Sequence, residues 1–437
     1  MGTAARVGRQ RRPEYIAPAG QPAVRPRAAG RFPRAVAIAA AVTALLMAGT
    51  IWPASPLEAL GLTRSMAGAV LRLPAAYVAL SPLCAAYDAL TVLTISQHAA
   101  LLGWLLAIFA VSRALAWIAP RPSRRRPTVL REAMLLGMLL LGFAGVYVIG
   151  AIAPRPMAAL ALTDRDELAV DVHSHTSSSH DGRIDFDAEM NRRWHAAAGF
   201  DAAYITDHRS FAGANAGAAG NPRRAGDGTV LLSGIESLGP HSHVTILGAR
   251  PDMALDTDGR ADLARLSADT NVVVVLTTPA KLSLVPATLR LDAVENSDGA
   301  PLGLKFTRTS APEIARFAAE RKLVRVAGSN NHGWGRTASA WTVMRVPGWR
   351  GMSPDSLDGA IRATLRSEPA AVRVIARGAT PLPRSAAALI ATPASFAWMI
   401  VTRLSPAERV SWLVWIWSIA GLALLARRPA RAPRLAR

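Results

Sequence analysis

The stretch that decides the fold is Asp171–His208, which opens D-V-H-S-H-T-S-S-S-H-D-G-R and closes Y-I-T-D-H. Before it, Leu168–Val172 alternates like a short buried strand, and Asp201–Thr206 reads as a second strand. Between the two, Asp185–Ala198 reads as a helix. A strand, a helix and a strand in this order predict a unit of an α/β fold, in which sites form where strands end.

Histidines gather at these predicted strand ends. His173 and His175 are two residues apart, so on a strand their imidazoles point to the same face and can share one ion. His208 directly follows the second strand. The chain has nine histidines, and eight of them lie between residues 173 and 332. Core packing does not explain that clustering, and the pattern predicts a metal site at one edge of the fold.

The succession of H-x-H, H-D-G and T-D-H resembles the polymerase and histidinol phosphatase (PHP) family of metal-dependent phosphoesterases. The match begins near Ala169 and runs, with gaps, to about His332, a little over a third of the chain. The resemblance implies an α/β fold of the distorted (β/α)7 PHP barrel type, which periodicity alone does not show. It also implies a cluster of histidine and carboxylate ligands that holds divalent ions against a phosphate ester.

The metal ligands of the family carry over to individual positions of this chain. Asp181 matches the carboxylate of the family's S-D-G turn, although His180 stands one residue earlier and the spacing lets either bind. Glu236, in L-L-S-G-I-E, matches a carboxylate that bridges ions. The metal ligands that the resemblance implies are His173, His175, His180 or Asp181, His208, Glu236, His243 and His332.

Three residues are predicted to act in catalysis. Glu236 acts through the ions that it holds, and Asp207 acts as the hydrogen-bonding partner of the ligand His208. Arg336 follows a ligand position, as Arg183 and Arg209 also do, and its guanidinium is suited to a substrate phosphate. The predicted activity is hydrolysis of a phosphate ester by a metal-dependent phosphoesterase.

Two positions depart from the family pattern. Thr278-Pro279 stands where relatives often have His-Pro, and Asn330 stands where they have Asp. Threonine and asparagine are poor ligands for a Zn²⁺-like ion. We therefore expect two divalent ions (Zn, Mn or Fe) rather than three. The same departures favour an alternative function, a non-catalytic metal- or ligand-binding sensor module that keeps the PHP fold.

The net charge of +20 lies entirely outside the segment 160–380. That segment holds 25 basic and 25 acidic residues, whereas the rest of the chain holds 25 basic and 5 acidic ones. A net positive charge of this size commonly indicates that a protein binds nucleic acid. Here the basic excess lies beside apolar stretches, which favours contact with the anionic inner leaflet of a bilayer and no nucleic acid. Cys84 is the only cysteine and forms no internal disulfide.

Four apolar stretches are long enough to cross a bilayer. They are residues 35–52, 99–119, 133–153 and 410–426. The basic stretches beside them are residues 1–34, 120–132 and 427–437. The positive-inside rule puts all three basic stretches in the cytoplasm, the first and last as tails.

Two further apolar segments, Met66–Leu90 and Ala386–Thr402, are ambiguous. If either alone crossed the bilayer, a basic stretch would move to the outer side. Both are therefore expected to be membrane-associated or re-entrant pieces within membrane regions at 35–153 and 386–426. The sequence thus predicts a multi-pass cell-membrane protein with an extracytoplasmic PHP-like domain at 160–380.

Strand and helix signals alternate across this predicted domain, which suggests a parallel barrel or wound sheet. Strands are predicted at Val230–Gly234, Val244–Leu247, Val272–Leu276, Leu291–Val294 and Leu323–Ala327. Ser310 with Glu313 resembles a capping box that opens a helix, and Ser353 before Pro354 opens another. His195 lies in a predicted helix beside two arginines and is expected at the surface.

Overall fold

The computed structural model describes residues 34–60, 65–118, 128–239, 242–252, 269–279 and 281–426. The basic tails, most of the predicted basic loop at 120–132 and His241 lie outside these residues. The helices are α1 Arg34–Ile51, α2 Ala75–Ala79, α3 Ser81–Thr91, α4 Ile95–Ile118, α5 Val129–Ile152, α6 Ala188–Ala198, α7 Ala212–Ala219, α8 Pro301–Thr309, α9 Ala311–Arg321, α10 Pro354–Ser367, α11 Ala386–Ile390, α12 Thr392–Arg403 and α13 Pro406–Leu425. The strands are β1 Leu57–Leu60, β2 Ala69–Arg72, β3 Ala159–Leu162, β4 Glu167–Ser174, β5 Ala202–Ile205, β6 Val230–Gly239, β7 Ser242–Leu247, β8 Val273–Thr277, β9 Ala293–Asp298, β10 Val324–Gly328, β11 Ala340–Arg345 and β12 Val372–Arg377.

Four helices, α1, α4, α5 and α13, are long and apolar enough to cross a membrane, and they coincide with the four predicted spans. Their apolar side chains are largely exposed, as expected of surfaces that lipid covers. The two ambiguous segments are broken into shorter elements. Helix α3 has 11 residues and α12 has 12, so each is about 18 Å long or less, well short of a hydrocarbon core.

Ten of the twelve strands in the described residues form a mixed sheet in the order β1-β12-β11-β4-β5-β6-β7-β8-β9-β10, and β2 pairs antiparallel with β3. Strands β4, β5 and β6 pair in parallel, as β8, β9 and β10 do, while β7 is antiparallel to both of its neighbours. The predicted α/β class is confirmed, although the sheet is not purely parallel. Strand β1 precedes the segment 160–380 in sequence and nevertheless pairs with β12.

The sheet curls until β10 approaches β4. The backbone N–H of Asn330 donates to the carbonyl of His173 at 2.8 Å, and the N–H of His175 donates to the carbonyl of Asn331 at 3.0 Å. Strands β4 to β10 therefore enclose a common interior. These two hydrogen bonds join the segments that carry the first and last predicted metal ligands.

The enclosed interior is apolar at one end and polar at the other. Alternate residues of the strands, such as Val170, Tyr204 and Val275, fill the apolar end together with Leu357 and Ile361 of α10. Each successive inward position along a strand lies about 7 Å further on, because the side-chain period is two residues. Polar and ionisable side chains gather at the other end, among them His173 of β4, His208 just after β5 and Glu295 of β9. The candidate site therefore lies at the carboxyl-terminal end of these three strands.

The predicted helix starts are half right. Ser353 caps α10 as predicted, since its side chain accepts a hydrogen bond from Ser356 N at 3.2 Å. The capping box at Ser310 is wrong. Helix α8 runs directly into α9 there, so Ser310 has φ −98° and ψ 12° and makes no side-chain capping bond, whereas an N-cap residue normally has extended backbone.

Candidate metal centre

The carboxylate of Glu236 is the middle of the candidate centre. Its Oε2 atom lies 3.1 Å from His173 Nε2, 3.2 Å from His175 Nε2 and 3.3 Å from His208 Nε2. Its Oε1 atom lies 2.7 Å from His243 Nδ1. The two histidines of H-x-H thus reach the same oxygen, as their spacing predicts. Four imidazoles, two from the end of β4, one from the segment after β5 and one from β7, converge on a single carboxylate.

A second group of ligand atoms adjoins the first. His332 Nε2 lies 3.0 Å from Asp181 Oδ2, and His208 Nε2 lies 3.6 Å from the same oxygen. The rings of His332 and His175 stack with centroids 4.1 Å apart. The ligand atoms of His175, Asp181, His208 and His332 lie close enough together to hold one ion.

His180 and Asp181, which the sequence left as alternatives, occupy different places. The Asp181 carboxylate belongs to the second group of ligand atoms. The His180 side chain is exposed, and its ring centre lies 5.0 Å from that of His208. The geometry therefore favours Asp181 as the ligand.

At neutral pH two imidazoles of the centre are neutral and two carboxylates are charged. Glu236 raises the pKa of His243, and although burial favours the neutral ring of His173, Glu236 and Glu295 raise its pKa as well. Burial lowers the pKa of His208 to about 4 and that of His332 to about 4, so both rings are neutral and have a lone pair free. Burial opposes ionisation of Glu236 and Asp181, yet both carboxylates are charged. His173 and the surrounding hydrogen bonds hold the pKa of Glu236 well below its usual range, and the Ser179 hydroxyl with His332 brings that of Asp181 to about 2.

His175 shows that these side chains fit a metal ion. Its ring is completely buried, yet neither ring nitrogen has a hydrogen bond among the described residues. Although its Nε2 lies 3.2 Å from Glu236, the contact is not in hydrogen-bond geometry. A buried polar group without a partner costs about 1–3 kcal/mol, and an ion between these groups would remove that cost. Imidazole and carboxylate donors suit Zn²⁺, Mn²⁺ and Fe²⁺.

Asp207 and Arg336, the other predicted catalytic residues, lie beside the ligands. Asp207 is completely buried and accepts hydrogen bonds from the backbone N–H and the hydroxyl of Thr176, both at 2.6 Å. It thereby ties the loop after His175 to the strand end that carries His208. Arg336 is four residues past His332, half-buried, and its pKa is lowered by burial and by the nearby cations of Arg155 and Arg183.

His195 is not at the surface, so that prediction is wrong. Its ring is completely buried, with Nε2 2.7 Å from Asp171 Oδ2 and Nδ1 2.8 Å from Asn191 O. Neighbouring residues of a helix point to different faces, so the arginines at 192 and 193 do not place His195 in solvent. Asp171 in turn accepts a hydrogen bond from His173 N at 3.1 Å.

Two acidic residues on β9, Glu295 and Asp298, were not predicted from the sequence. Both are completely buried, and with His173 they form a further group of potential ligand atoms. Burial and the neighbouring Glu295 raise the pKa of Asp298 to about 7, as expected where two carboxylates are buried side by side. The signal was present in V-E-N-S-D, which puts acidic residues at the end of a predicted apolar strand.

Strained backbone is concentrated around the centre. Arg209, Thr278 and Asn330 have φ values of 57°, 45° and 44°, in the left-handed region that non-glycine residues rarely adopt. Arg209 follows a ligand, and the other two occupy the positions that depart from the family pattern. Such strain persists where surrounding contacts enforce it, and it is commonest at functional sites.

No protein-family model matches the chain, and no curated protein matches it in sequence. Part of the chain is similar to solved structures. PsfC from Pseudomonas syringae shares 17% identity over 44% of this chain and 87% of its own, with a TM-score of 0.33. A protein from Bifidobacterium adolescentis assigned as a metal-dependent phosphoesterase shares 13% identity over 44% of this chain and 95% of its own, with a TM-score of 0.29. The lesion-specific endonuclease PfuEndoQ from Pyrococcus furiosus shares 12% identity over 46% of this chain and 56% of its own, with a TM-score of 0.34. TM-scores this low support no conclusion about the activity of this chain.

Proposed function

We propose that the protein is a membrane-anchored, metal-dependent phosphoesterase whose domain is a distorted seven-stranded PHP-type barrel facing the extracytoplasmic side. The observation that carries the proposal is the convergence of His173, His175, His208 and His243 on the Glu236 carboxylate. A carboxylate in a purely structural ion pair needs only one cationic partner. Four imidazoles around one carboxylate are the donor set of a metal centre.

Each group has a distinct part in the proposed reaction. Divalent ions bound there supply Lewis acidity toward a phosphate ester and its attacking water. Glu236 with its surrounding histidines would hold one ion, and Asp181, His208 and His332 with His175 would hold another. Asp207 keeps the two ligand loops together through Thr176.

Phosphate recognition is assigned to the arginines next to the last ligand. The backbone N–H of Arg183 donates to His332 O at 2.9 Å, and its guanidinium lies over the exposed ring of Trp334. Arg336 follows on the same loop. Besides burial and Arg155, the nearby charge of Arg183 lowers the pKa of Arg336. Two guanidinium groups that repel each other are stabilised when a dianionic phosphate binds between them.

The test of this function is the metal content and hydrolytic activity of the purified full-length chain. We expect at least one transition-metal ion per chain. We expect His173→Ala combined with His175→Ala to remove it, because the two buried histidines that would bind the ion together with Glu236 are then lost. Elemental analysis and hydrolysis of a panel of phosphomonoesters and phosphodiesters measure the two properties. His180→Ala is the matched control, since that exposed histidine should leave both properties nearly unchanged.

Equal metal content in the wild type and the double variant would refute the metal centre. Bound metal without hydrolysis of any ester in the presence of Mn²⁺, Zn²⁺ or Fe²⁺ would instead support the sensor module. That alternative has one observation in its favour, the replacement of two family ligands by Thr278 and Asn330.

The proposed orientation has its own test. Three basic stretches beside spans are all cytoplasmic only if residues 154–409 lie outside. A reporter that is active only outside the cytoplasm should work when fused after Gly220, in the domain, and should fail when fused after Arg125, in the loop between α4 and α5. The reverse pattern would place the domain and its substrate in the cytoplasm.

A further inference from the structure

We propose that Glu295 is a positioning residue of the metal centre, which acts on His173 from the side opposite Glu236. The inference rests on the proposed function, because it concerns how a ligand of that centre is held. His173 Nε2 faces Glu236 at 3.1 Å, and His173 Nδ1 faces Glu295 Oε1 at 3.2 Å. A ligating imidazole commonly donates its second N–H to a carboxylate, which fixes the tautomer and the ring orientation.

The contact is enforced from several directions. Glu295 is completely buried on β9, and its second oxygen accepts a hydrogen bond from Thr278 N at 3.1 Å. Gly328 of β10 packs against the pair so closely that a Cβ there would lie 2.2 Å from Glu295 Oε1 and 2.5 Å from His173 Cβ. The β10 backbone therefore closes one side of the pair, and with Nδ1 facing Glu295 the ring presents Nε2 toward Glu236.

Asp298 explains the two departures from the family pattern. Its Oδ2 atom accepts hydrogen bonds from Thr278 Oγ1 at 3.0 Å and from Asn330 Nδ2 at 3.2 Å, and its Oδ1 atom accepts one from Ala300 N at 2.8 Å. Thr278 thus contacts both acidic residues, through its N–H and its hydroxyl. The residues that stand in place of two ligands here serve as hydrogen-bond donors, and they hold the β9 carboxylates behind His173.

A different role for Glu295 follows from the same distances. The ligand atoms of His173, Glu295 and Asp298 are close enough together to hold an ion of their own. Two points argue against a separate ion at this place. Both carboxylates already accept hydrogen bonds from the protein, and His173 would have to lose both ring protons to bind one ion through each nitrogen. Positioning and ligation differ in what they predict for the number of bound ions.

The experiment compares Glu295→Ala and Glu295→Gln with the wild type as full-length protein in detergent. Ion number is measured by elemental analysis at saturating Zn²⁺, and affinity is measured by competition with a chromogenic chelator. We expect an unchanged ion number and an affinity about 10–100-fold weaker for Glu295→Ala. Glu295→Gln should be intermediate, because its amide oxygen still accepts a hydrogen bond from Nδ1–H. Glu167→Gln, which removes a carboxylate paired with Arg373 at the other end of β4, is the control and should bind as the wild type does.

The possible results separate cleanly. Loss of one ion at saturation in Glu295→Ala would make Glu295 a ligand, and wild-type affinity in that variant would give it no role. Either result overturns the inference. If the wild-type protein bound ions but hydrolysed no ester, the proposed function would be refuted. The comparison of ion affinities would still show whether Glu295 positions His173. A wild type that binds no ion would refute both.

Discussion

Glu236→Gln is expected to lower hydrolysis of the best ester substrate by about 1,000-fold or more, which corresponds to about 4 kcal/mol of transition-state stabilisation. Glutamine keeps the shape of the side chain but removes the charge that four imidazoles surround. Its amide group also presents N–H donors to His173, His175 or His208, whose Nε2 atoms lie 3.1–3.3 Å from the carboxylate. Metal content should fall together with activity, because the bridging ligand is lost.

Single-turnover hydrolysis and elemental analysis of the same preparation measure these effects. Glu189→Gln is the matched control, since the exposed Glu189 pairs with Arg192 and Arg193 of its own helix α6. Such pairs on a helix surface contribute little. If Glu236→Gln retained wild-type activity, Glu236 would be a packing residue and the centre would lie elsewhere. A thermal unfolding curve close to that of the wild type would show that the fold survives the substitution.

The convergence of the candidate ligand histidines was predictable because their signals are local. An H-x-H at the end of an apolar strand fixes the direction of both side chains through the two-residue period of a strand. His208 and Glu236 follow the same rule on the next two strands. The curl that brings His332 back to His175 is not local, and only the resemblance of G-S-N-N-H to a family motif placed that residue in the centre.

The residues that sequence reasoning misplaced are those whose role depends on a distant partner. His195 was assigned to the surface from its sequence neighbours, while its actual partner, Asp171, lies 24 residues away across the strand. Glu295 has a partner 122 residues away. A pattern of apolar and polar residues gives the face on which a side chain lies, but it does not give the group that the side chain meets.

Asp88 also depends on distant partners. It lies in the apolar segment 66–90, which the sequence left ambiguous. In the structure Asp88 is 3% exposed, and it links α3 to the segment just after α5 and to the end of β12. Its Oδ1 atom is 2.7 Å from Arg155 Nη1, just after α5, and accepts from the Thr337 hydroxyl at 2.6 Å. Its Oδ2 atom accepts from the Tyr77 hydroxyl at 2.8 Å and lies 3.1 Å from Arg377 Nη1 at the end of β12.

Asp88→Asn should therefore destabilise the whole protein. Both arginines are about nine-tenths buried, so the substitution leaves two cations without their shared anion, and breaking a buried pair in this way costs about 3–5 kcal/mol. We expect the midpoint of thermal unfolding of the full-length protein in detergent to fall by about 3–5 °C. Tyr77→Phe, which removes one hydrogen bond and no charge, should cost only about 1 kcal/mol.

The control for charge alone is Asp164→Asn, which removes an exposed ion pair with Arg345 and should leave the midpoint nearly unchanged. The site gives a second readout, because Thr337 is only five residues past the ligand His332 and the intervening Gly335 N–H donates to Ala151 O of α5 at 2.8 Å. Loosening this loop at Asp88 should weaken ion binding as well as stability. If Asp88→Asn unfolded at the wild-type midpoint, the contacts of Asp88 would not contribute to the stability of the protein. If its ion affinity were unchanged, these contacts would have no effect on the metal centre.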